Sequence, residues 1–83
     1  MPFFVYIIFS ESINEYYTGH CEDLANRLFR HNNSGSRATK KAKDWKLRYT
    51  EVYETKAAAV SRELQIKKKK SRKYIEWLIH QSG

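Results

Sequence analysis

The apolar residues in the first quarter of the chain follow the pattern of two β-strands. Residues 3–9, FFVYIIF, are rich in aromatic and β-branched side chains, which favours a strand that is covered on both faces. Alternation places Tyr6 on one face and Val5 on the other. The polar residues 10–15 form a short connection, and residues 16–20 are predicted to return as a second strand that turns at its glycine. Because the connection is short, we expect the two strands to be antiparallel neighbours.

A helical period replaces this alternation in the next segment. Glu22 and Asp23 place negative charge where a helix begins, and the period continues to about residue 33. At about 100° per residue, two leucines and two polar residues fall within one arc of roughly 100°. These four residues are Leu24, Arg27, Leu28 and His31. We expect the leucines to face the sheet and the two polar side chains to lie at the edge of the buried face.

A third strand follows a long polar segment. Residues 33–45 contain glycine, serine and basic residues without an apolar period, which predicts a loop. Residues 45–53 alternate between apolar and polar types, which predicts a strand. Strict alternation places four side chains on one face of this strand: Trp45, Leu47, Tyr49 and Glu51.

Two helices complete the pattern. Thr55 is the predicted N-cap of a helix over residues 56–70, and Ser71 is the predicted N-cap of a helix over residues 72–80. The first of these helices is predicted to bury Ala57, Val60 and Leu64. Glu63 lies about 60° beyond the centre of that face, at its edge. The second is predicted to bury Tyr74, Ile75, Leu78 and Ile79. The order β-β-α-β-α-α describes a small α+β domain.

Composition and charge narrow the class of partner. The 83 residues carry a formal net charge of +7, and a basic domain of this size usually meets phosphate, in nucleic acid or on a membrane surface. Four cations of the loop are predicted to bind nucleic acid: Arg37, Lys40, Lys41 and Lys43. The single cysteine excludes an internal disulfide framework and favours a reducing, cytoplasmic compartment. No apolar stretch approaches the roughly 20 residues that span a bilayer, so we expect one domain over residues 1–83 without a membrane segment.

Five polar residues are candidates for a chemical site: Tyr6, Tyr17, Arg27, His31 and Glu63. Each alone is more often structural. Together they supply an arginine for a phosphate, a carboxylate for a divalent cation, and phenol or imidazole groups for proton transfer. The sequence lacks the nucleophile sets of acyl transfer, the paired spacing of zinc ligands and a glycine-rich phosphate loop. Metal-assisted hydrolysis of a phosphodiester is the chemistry that uses all five residues.

Four short motifs, in this order, resemble those of the GIY-YIG nuclease family: Val5-Tyr6-Ile7, Tyr17-Thr18-Gly19, Arg27 with His31, and Arg62-Glu63. The chain is most similar to the small stand-alone bacterial members and to the catalytic module of the excinuclease C subunit. The resemblance extends from Phe4 to about Ile79. The first motif departs from the family by lacking its glycine, and the second by lacking its isoleucine. His20-Cys21 also stands where a small apolar residue and then a threonine are expected, which removes a conventional helix cap.

The resemblance implies a fold and an activity. The family fold is a small three-stranded antiparallel sheet flanked by helices, and the family activity is divalent-metal-dependent cleavage of DNA. It implies that Glu63 binds Mg²⁺, with Mn²⁺ as an alternative, and that Arg27 contacts the phosphate. It further implies that Tyr6 or Tyr17 helps to deprotonate the attacking water, and many members have a histidine where His31 stands. RNA stays open as a substrate, and no small-molecule cofactor or membrane partner is expected.

Two other functions remain open for the same sequence. One is a nucleic-acid-binding module that keeps the fold without efficient cleavage, and the other is a basic module that docks on an acidic protein. For the nuclease we expect the hydroxyls of Tyr6 and Tyr17 to lie exposed on one common concave surface. We also expect Glu63 to be the only direct carboxylate ligand of the metal among the nine acidic residues.

Overall fold

The elements of the computed structural model, which describes residues 2–33, 35 and 37–81, follow the predicted order. They are β1 (Phe3–Ser10), β2 (Glu15–Cys21), α1 (Leu24–Asn33), β3 (Trp45–Tyr53), α2 (Lys56–Lys69) and α3 (Arg72–Gln81). The α+β class and the order β-β-α-β-α-α are therefore confirmed.

The three strands form an antiparallel sheet of order β2-β1-β3, in which β1 is the central strand. The expected pairing of the first two strands is confirmed. Its register places Tyr6 opposite Gly19 and Ile8 opposite Tyr17. Directly opposed residues share a face of a sheet. Tyr6 and Tyr17 therefore project from the same face, and β2 is one of the two open edges.

Two apolar clusters cover the two faces of the sheet. Val5 and Ile7 are fully buried on one face, where α2 and α3 pack on them through Ala59, Ile66 and Leu78. Tyr6 and Ile8 are buried on the other face. That second cluster is completed by residues of β2, α1, the segment before β3 and the start of β3: Cys21, Leu24, Leu28, Ala42 and Trp45. The predicted division of β1 into two buried faces is confirmed.

A β-bulge in β3 separates side chains that strict alternation places together. Ile7 pairs with Tyr49, but the next residue of β1 pairs with Leu47, so Arg48 is an extra residue in the ladder. Trp45 consequently packs on the α1 side of the sheet, whereas Tyr49 packs on the α2 and α3 side. The predicted common face of β3 is wrong because one inserted residue reverses the alternation.

Helix α1 begins slightly later than predicted because β2 continues through Cys21. Asp23 caps the helix. Its Oδ1 accepts a hydrogen bond from the Asn26 amide at 3.0 Å, and its main-chain oxygen accepts one from the Arg27 amide at 3.0 Å. His20 therefore belongs to a strand rather than to a turn, and its side chain projects towards α2.

Helix α2 buries a different face from the predicted one. Its buried residues are Ala59 and Ile66, whereas Ala57 is exposed and the side chain of Leu64 is 54% exposed. Ala59 is completely covered, which is consistent with close packing of the helix on the sheet. Glu63 lies at i+4 from Ala59 and its side chain is 13% exposed, so it lies at the border of the covered side of α2.

The last helix and the caps follow the predictions. The Thr55 hydroxyl accepts a hydrogen bond from the Ala58 amide at 3.2 Å, and the Ser71 hydroxyl accepts one from the Tyr74 amide at 3.2 Å. Leu78 is buried, and the other residues predicted to face inward pack against the same cluster. Within the described part of the chain, every helix is too short or too polar to cross a bilayer.

The predicted loop before β3 is irregular but packed. Thr39 and Ala42 are both buried in it, and the Ala42 amide donates to the Thr39 main-chain oxygen at 3.3 Å. The same oxygen accepts a hydrogen bond from the Trp45 indole at 2.9 Å. The loop thereby covers the second cluster, and it leaves exposed the four predicted phosphate-binding residues, Arg37, Lys40, Lys41 and Lys43.

Candidate functional site

A buried chain of hydrogen bonds links β1, α1 and the loop before β3. The Tyr6 hydroxyl lies 2.7 Å from His31 Nε2, and His31 Nδ1 lies 2.8 Å from the Thr39 hydroxyl. Tyr6 and His31 are only 2% and 5% exposed. The predicted exposed hydroxyl of Tyr6 and the predicted edge position of His31 are therefore wrong. Tyr6 lies in the central strand with α1 directly above it, so both side chains are covered.

Gly19 makes room for the Tyr6 phenol in this hydrogen-bonded series. A Cβ at this position would lie 2.5 Å from the Tyr6 hydroxyl oxygen and 2.7 Å from Cζ of the same ring. Contacts this short do not occur, so any side chain at residue 19 would push the phenol away from His31. Gly19 lies within β2 and does not form the predicted turn. The glycine of the second motif is thus explained by a close approach across the strand pair.

Burial keeps the rings of Tyr6 and His31 uncharged. It raises the pKa of the Tyr6 phenol; the neighbouring Tyr17 adds to the rise, and the charge of Arg27 opposes it. Burial also lowers the pKa of His31, and the positive charges of Arg27 and Arg30 lower it further. A neutral imidazole has one donor and one acceptor nitrogen. His31 therefore donates to one of its two hydroxyl partners and accepts from the other.

Tyr17 is the more accessible of the two tyrosines. It is half-buried, and its ring centroid lies 5.2 Å from that of His31 in an edge-on arrangement. The ammonium group of Lys67 lies 5.4 Å from the Tyr17 centroid, within the range of a cation–π contact. Because Lys67 belongs to α2, this contact connects the face that carries Tyr6 with the helix on the opposite face.

Glu63 meets the same lysine on the α2 side. Lys67 Nζ lies 2.6 Å from its Oε2, and His20 Nδ1 lies 2.5 Å from its Oε1. The carboxylate side chain is 13% exposed. Burial alone would raise the pKa of Glu63, but the hydrogen bonds from Lys67 and His20 outweigh it and hold the pKa below its usual value. Glu63 is therefore an anion at neutral pH, with basic groups on both oxygens.

The residue before Glu63 fixes the orientation of α2. Arg62 Nε and Nη2 donate to the two carboxylate oxygens of Glu51 at 2.9 and 3.1 Å. Tyr49 and Tyr53 also donate to Glu51. Arg62 thus holds the helix to β3, on one side of the central strand, while Glu63 points to β2 on the other side.

Arg27 approaches the edge of β2 from α1. Arg27 and His20 line one cavity of about 170 Å³ together with Cys21 and Lys56. His20 in turn holds Glu63, and the charges of both Arg27 and Glu63 influence the pKa of Tyr6. Arg27, Tyr17 and Glu63 therefore gather around one strand edge, although they come from both sides of the sheet. We call this group, with Lys67 and His20, the edge site.

Glu63 is the residue of the edge site that could hold a divalent cation. Among the described residues, no group of three or more histidine, cysteine, aspartate or glutamate side chains is placed to hold a metal. Zinc requires such a group. Magnesium keeps several waters and commonly binds through one or two carboxylates plus a substrate phosphate. Glu63 provides a single ionised carboxylate, which fits that mode.

The sequence did not identify His20 as a site residue. His20 is opposite Val5 and lies on the other face from Tyr6 and Tyr17, but the site extends around the strand edge to include it. Lys67 forms an i,i+4 ion pair with Glu63, and that helical spacing is the signal in the sequence that points to it. Of the predicted loop cations, Lys41 pairs with Glu15 at 2.9 Å, close to the β1–β2 turn.

Comparison with known proteins connects these features to a family. Residues 2–75 match the model of the GIY-YIG catalytic domain. The chain is 42% identical over 65 residues to a UPF0213 protein of Staphylococcus aureus, a match that covers 77% of this chain and 78% of the relative. It is 40% identical over 52 residues to a UPF0213 protein of Staphylococcus saprophyticus, which covers 61% of this chain and 63% of that relative.

A solved structure supports the same relationship. The chain is similar to the solution NMR structure of a UPF0213 protein from Bacillus halodurans, with a TM-score of 0.61 and 27% identity over 100% of this chain and 87% of the other. The matched range includes all five predicted site residues: Tyr6, Tyr17, Arg27, His31 and Glu63. The chain therefore belongs to the GIY-YIG catalytic domain family.

Proposed function

We propose that this protein is a divalent-metal-dependent endonuclease that hydrolyses phosphodiester bonds of DNA at the edge site. The observation that carries the proposal is the convergence of Glu63, Arg27 and Tyr17 around one accessible strand edge. An anion can hold a metal ion, a cation can bind the phosphate, and a phenol can transfer a proton, and phosphodiester hydrolysis can use all three. The net charge of +7 and the GIY-YIG family membership add support, because the family's catalytic domains act on DNA.

The two charged residues have separate tasks in this proposal. Arg27 binds the phosphate, for which a guanidinium offers paired donors. Glu63 holds Mg²⁺, or Mn²⁺ in its place. When bound there, the cation makes a water molecule more acidic and balances the charge of the phosphate. Lys67, which lies 2.6 Å from Glu63 Oε2, supplies a second cation beside the carboxylate.

Tyr17 is the better of the two tyrosines for contact with water. Tyr6 is buried, is hydrogen-bonded to His31, and has a raised pKa, all of which oppose its acting as a base. Tyr17 is half-buried, so its hydroxyl is closer to solvent than that of Tyr6, and the Lys67 ammonium lies 5.4 Å from its ring centroid. We assign proton transfer to Tyr17. Tyr6 and His31 position the Tyr17 ring, because Tyr6 is hydrogen-bonded to His31 and His31 packs edge-on against Tyr17.

One observation favours the binding module as a second candidate. Both carboxylate oxygens of Glu63 already accept hydrogen bonds from basic side chains. Metal binding competes with these contacts, which lowers the affinity for metal in the absence of DNA. A protein that has kept DNA binding and lost cleavage could retain the same arrangement as a purely structural ion pair.

Incubation with DNA distinguishes the two functions. Purified protein is mixed with supercoiled, branched and single-stranded DNA, with and without Mg²⁺, and Mn²⁺ and RNA serve as additional arms. We expect nicking that requires the metal. Glu63→Gln should abolish nicking and keep DNA binding, whereas Glu54→Gln, which changes an exposed carboxylate beyond β3, should keep both. Equal nicking by Glu63→Gln refutes the metal assignment, and a parent protein that binds without nicking favours the binding module.

A further inference from the structure

A second and larger cavity lies beside the edge site. Its volume is about 360 Å³, and it opens where the junction of α2 and α3 crosses the outer edge of β2. Tyr16, Ile66 and Ile75 form its apolar wall. Lys67 and Tyr17 belong to both the cavity and the edge site. The cavity therefore adjoins the edge site.

The far side of the cavity is formed by a fixed guanidinium. Arg72 donates to the main-chain oxygen of Asn14 at 2.9 Å and to the Asn14 side-chain oxygen at 2.7 Å. The same guanidinium lies 5.1 Å from the centroid of the Tyr16 ring. These contacts hold a planar cation and an aromatic ring together before any ligand binds, which lowers the ordering cost of binding.

The rim of the cavity is positively charged. Lys70 is exposed there with φ of 47°, in the left-handed conformation that usually selects glycine at the end of a helix. Lys67 and Arg72 flank it. Among the described residues that line the cavity, Glu15 is the sole carboxylate, and Lys41 pairs with it at 2.9 Å. Lys67 and Arg72 are each paired with a carboxylate of their own helix, Glu63 and Glu76. Lys70 is therefore the rim cation that favours an anionic ligand, and the apolar wall favours a flat group inside.

We propose that this cavity binds one unpaired nucleobase of a DNA strand while the adjacent phosphate lies at the edge site. The inference rests on the proposed nuclease function and specifies its substrate. The volume lies within the range of small-molecule sites, and the wall of Tyr16, Ile66 and Ile75 suits the faces of a base. A paired base cannot enter, because it remains stacked inside the duplex. The cavity thus selects DNA that has an unpaired nucleotide next to the cleaved bond.

Binding to DNA with and without the unpaired base tests the proposal. Fluorescence anisotropy, without divalent metal and at constant salt, compares a duplex that has one bulged nucleotide with the same duplex in which the bulged nucleotide is abasic. Both carry identical phosphates, so charge cannot distinguish them. Stacked bases contribute enough that the intact bulge should bind about fivefold tighter or better. Equal affinities overturn the proposal.

Two lysine variants locate the binding surface. Lys70→Gly removes a charge at the rim and relieves the left-handed backbone, whereas Lys68→Ala removes a charge from α2 outside this cavity. We expect Lys70→Gly to weaken binding of the bulged duplex more than Lys68→Ala does. Equal effects of the two variants place the DNA elsewhere and overturn the proposal. The nicking assay with Mg²⁺ separates the outcomes: nicking without a base preference refutes only the cavity, and a base preference without nicking refutes only the nuclease.

Discussion

The buried contact between Tyr6 and His31 makes Tyr6→Phe the most informative single change in this protein. The substitution removes one oxygen atom and keeps the ring, so packing of the second cluster should be preserved. It leaves His31 Nε2 without the partner that lies 2.7 Å away in the parent protein. His31 is 5% exposed, so water cannot readily replace the lost hydroxyl.

The expected loss of stability follows from this geometry. An ordinary hydrogen bond contributes about 0.5–1.5 kcal/mol net, but a buried group that is left unsatisfied costs about 1–3 kcal/mol. The second figure applies here because only one partner is removed. For a domain of this size, each kcal/mol lowers the unfolding temperature by about 4–8 °C. We expect a loss of about 1–3 kcal/mol in the free energy of unfolding.

Urea unfolding followed by tryptophan fluorescence measures this loss, because Trp45 is buried in the same cluster as Tyr6. Tyr16→Phe is the matched control. It deletes the same atom from a half-buried tyrosine in the neighbouring strand, on the opposite face. Its effect should stay within about 0.5 kcal/mol, which is typical of substitutions without a buried partner.

The comparison of the two variants decides the argument. If Tyr6→Phe is no less stable than Tyr16→Phe, the hydrogen bond to His31 contributes nothing, and the closeness of Gly19 to the phenol needs another explanation. In the nicking assay, Tyr6→Phe should reduce cleavage more than DNA binding, because Tyr6 supports Tyr17 through His31 without lying at the surface. Equal reductions would indicate a role in binding.

Three further predictions test neighbouring features. Burial lowers the pKa of His31 below its ordinary value of 6.5. The stability that neutral His31 contributes is therefore complete above pH 6.5 and is lost as the pH falls towards the lowered value. Urea unfolding at pH 7.5 and 5.5 should show this loss, and His31→Gln should reduce the pH dependence. Gly19→Ala places a methyl group 2.5 Å from the Tyr6 hydroxyl and should destabilise the fold by about 1–3 kcal/mol by thermal unfolding; an unchanged unfolding temperature contradicts the close approach. Changing both Lys40 and Lys41 to Ala should flatten the slope of log K against log salt by about two units if each contacts a phosphate, and an unchanged slope removes the loop from the DNA interface.

Much of the fold could be predicted because its elements have strong local signals. The dense apolar run of β1 and the capping residues Thr55 and Ser71 gave correct elements. The buried face of α2 was wrong because periodicity alone does not say which of two possible faces meets the sheet. Ala59 is less apolar than Leu64, yet it is the residue that is completely covered.

The sequence predicted which residues form the site but not how they are arranged in space. Motif spacing identified Arg27, Tyr17 and Glu63, which gather around β2. It could not show that Tyr6 and His31 are buried, because burial depends on how closely α1 approaches the central strand. The bulge at Arg48 could not be predicted either. Apolar and polar residues still alternate along residues 45–53, and only the pairing with β1 shows that the side chains change face at Arg48.

The position of the candidate site at a strand edge follows from the small size of the domain. A chain of 83 residues has too little interior to enclose a charged group, and burying an unpaired carboxylate is costly. At the edge of β2, Glu63 is covered enough to be held by Lys67 and His20, yet it stays 13% exposed. Adjacent residues of α2 divide the work: Arg62 holds the helix to Glu51 on β3, and Glu63 extends past the central strand to β2. A helix that lies across the sheet in this way places a carboxylate at the open edge of β2.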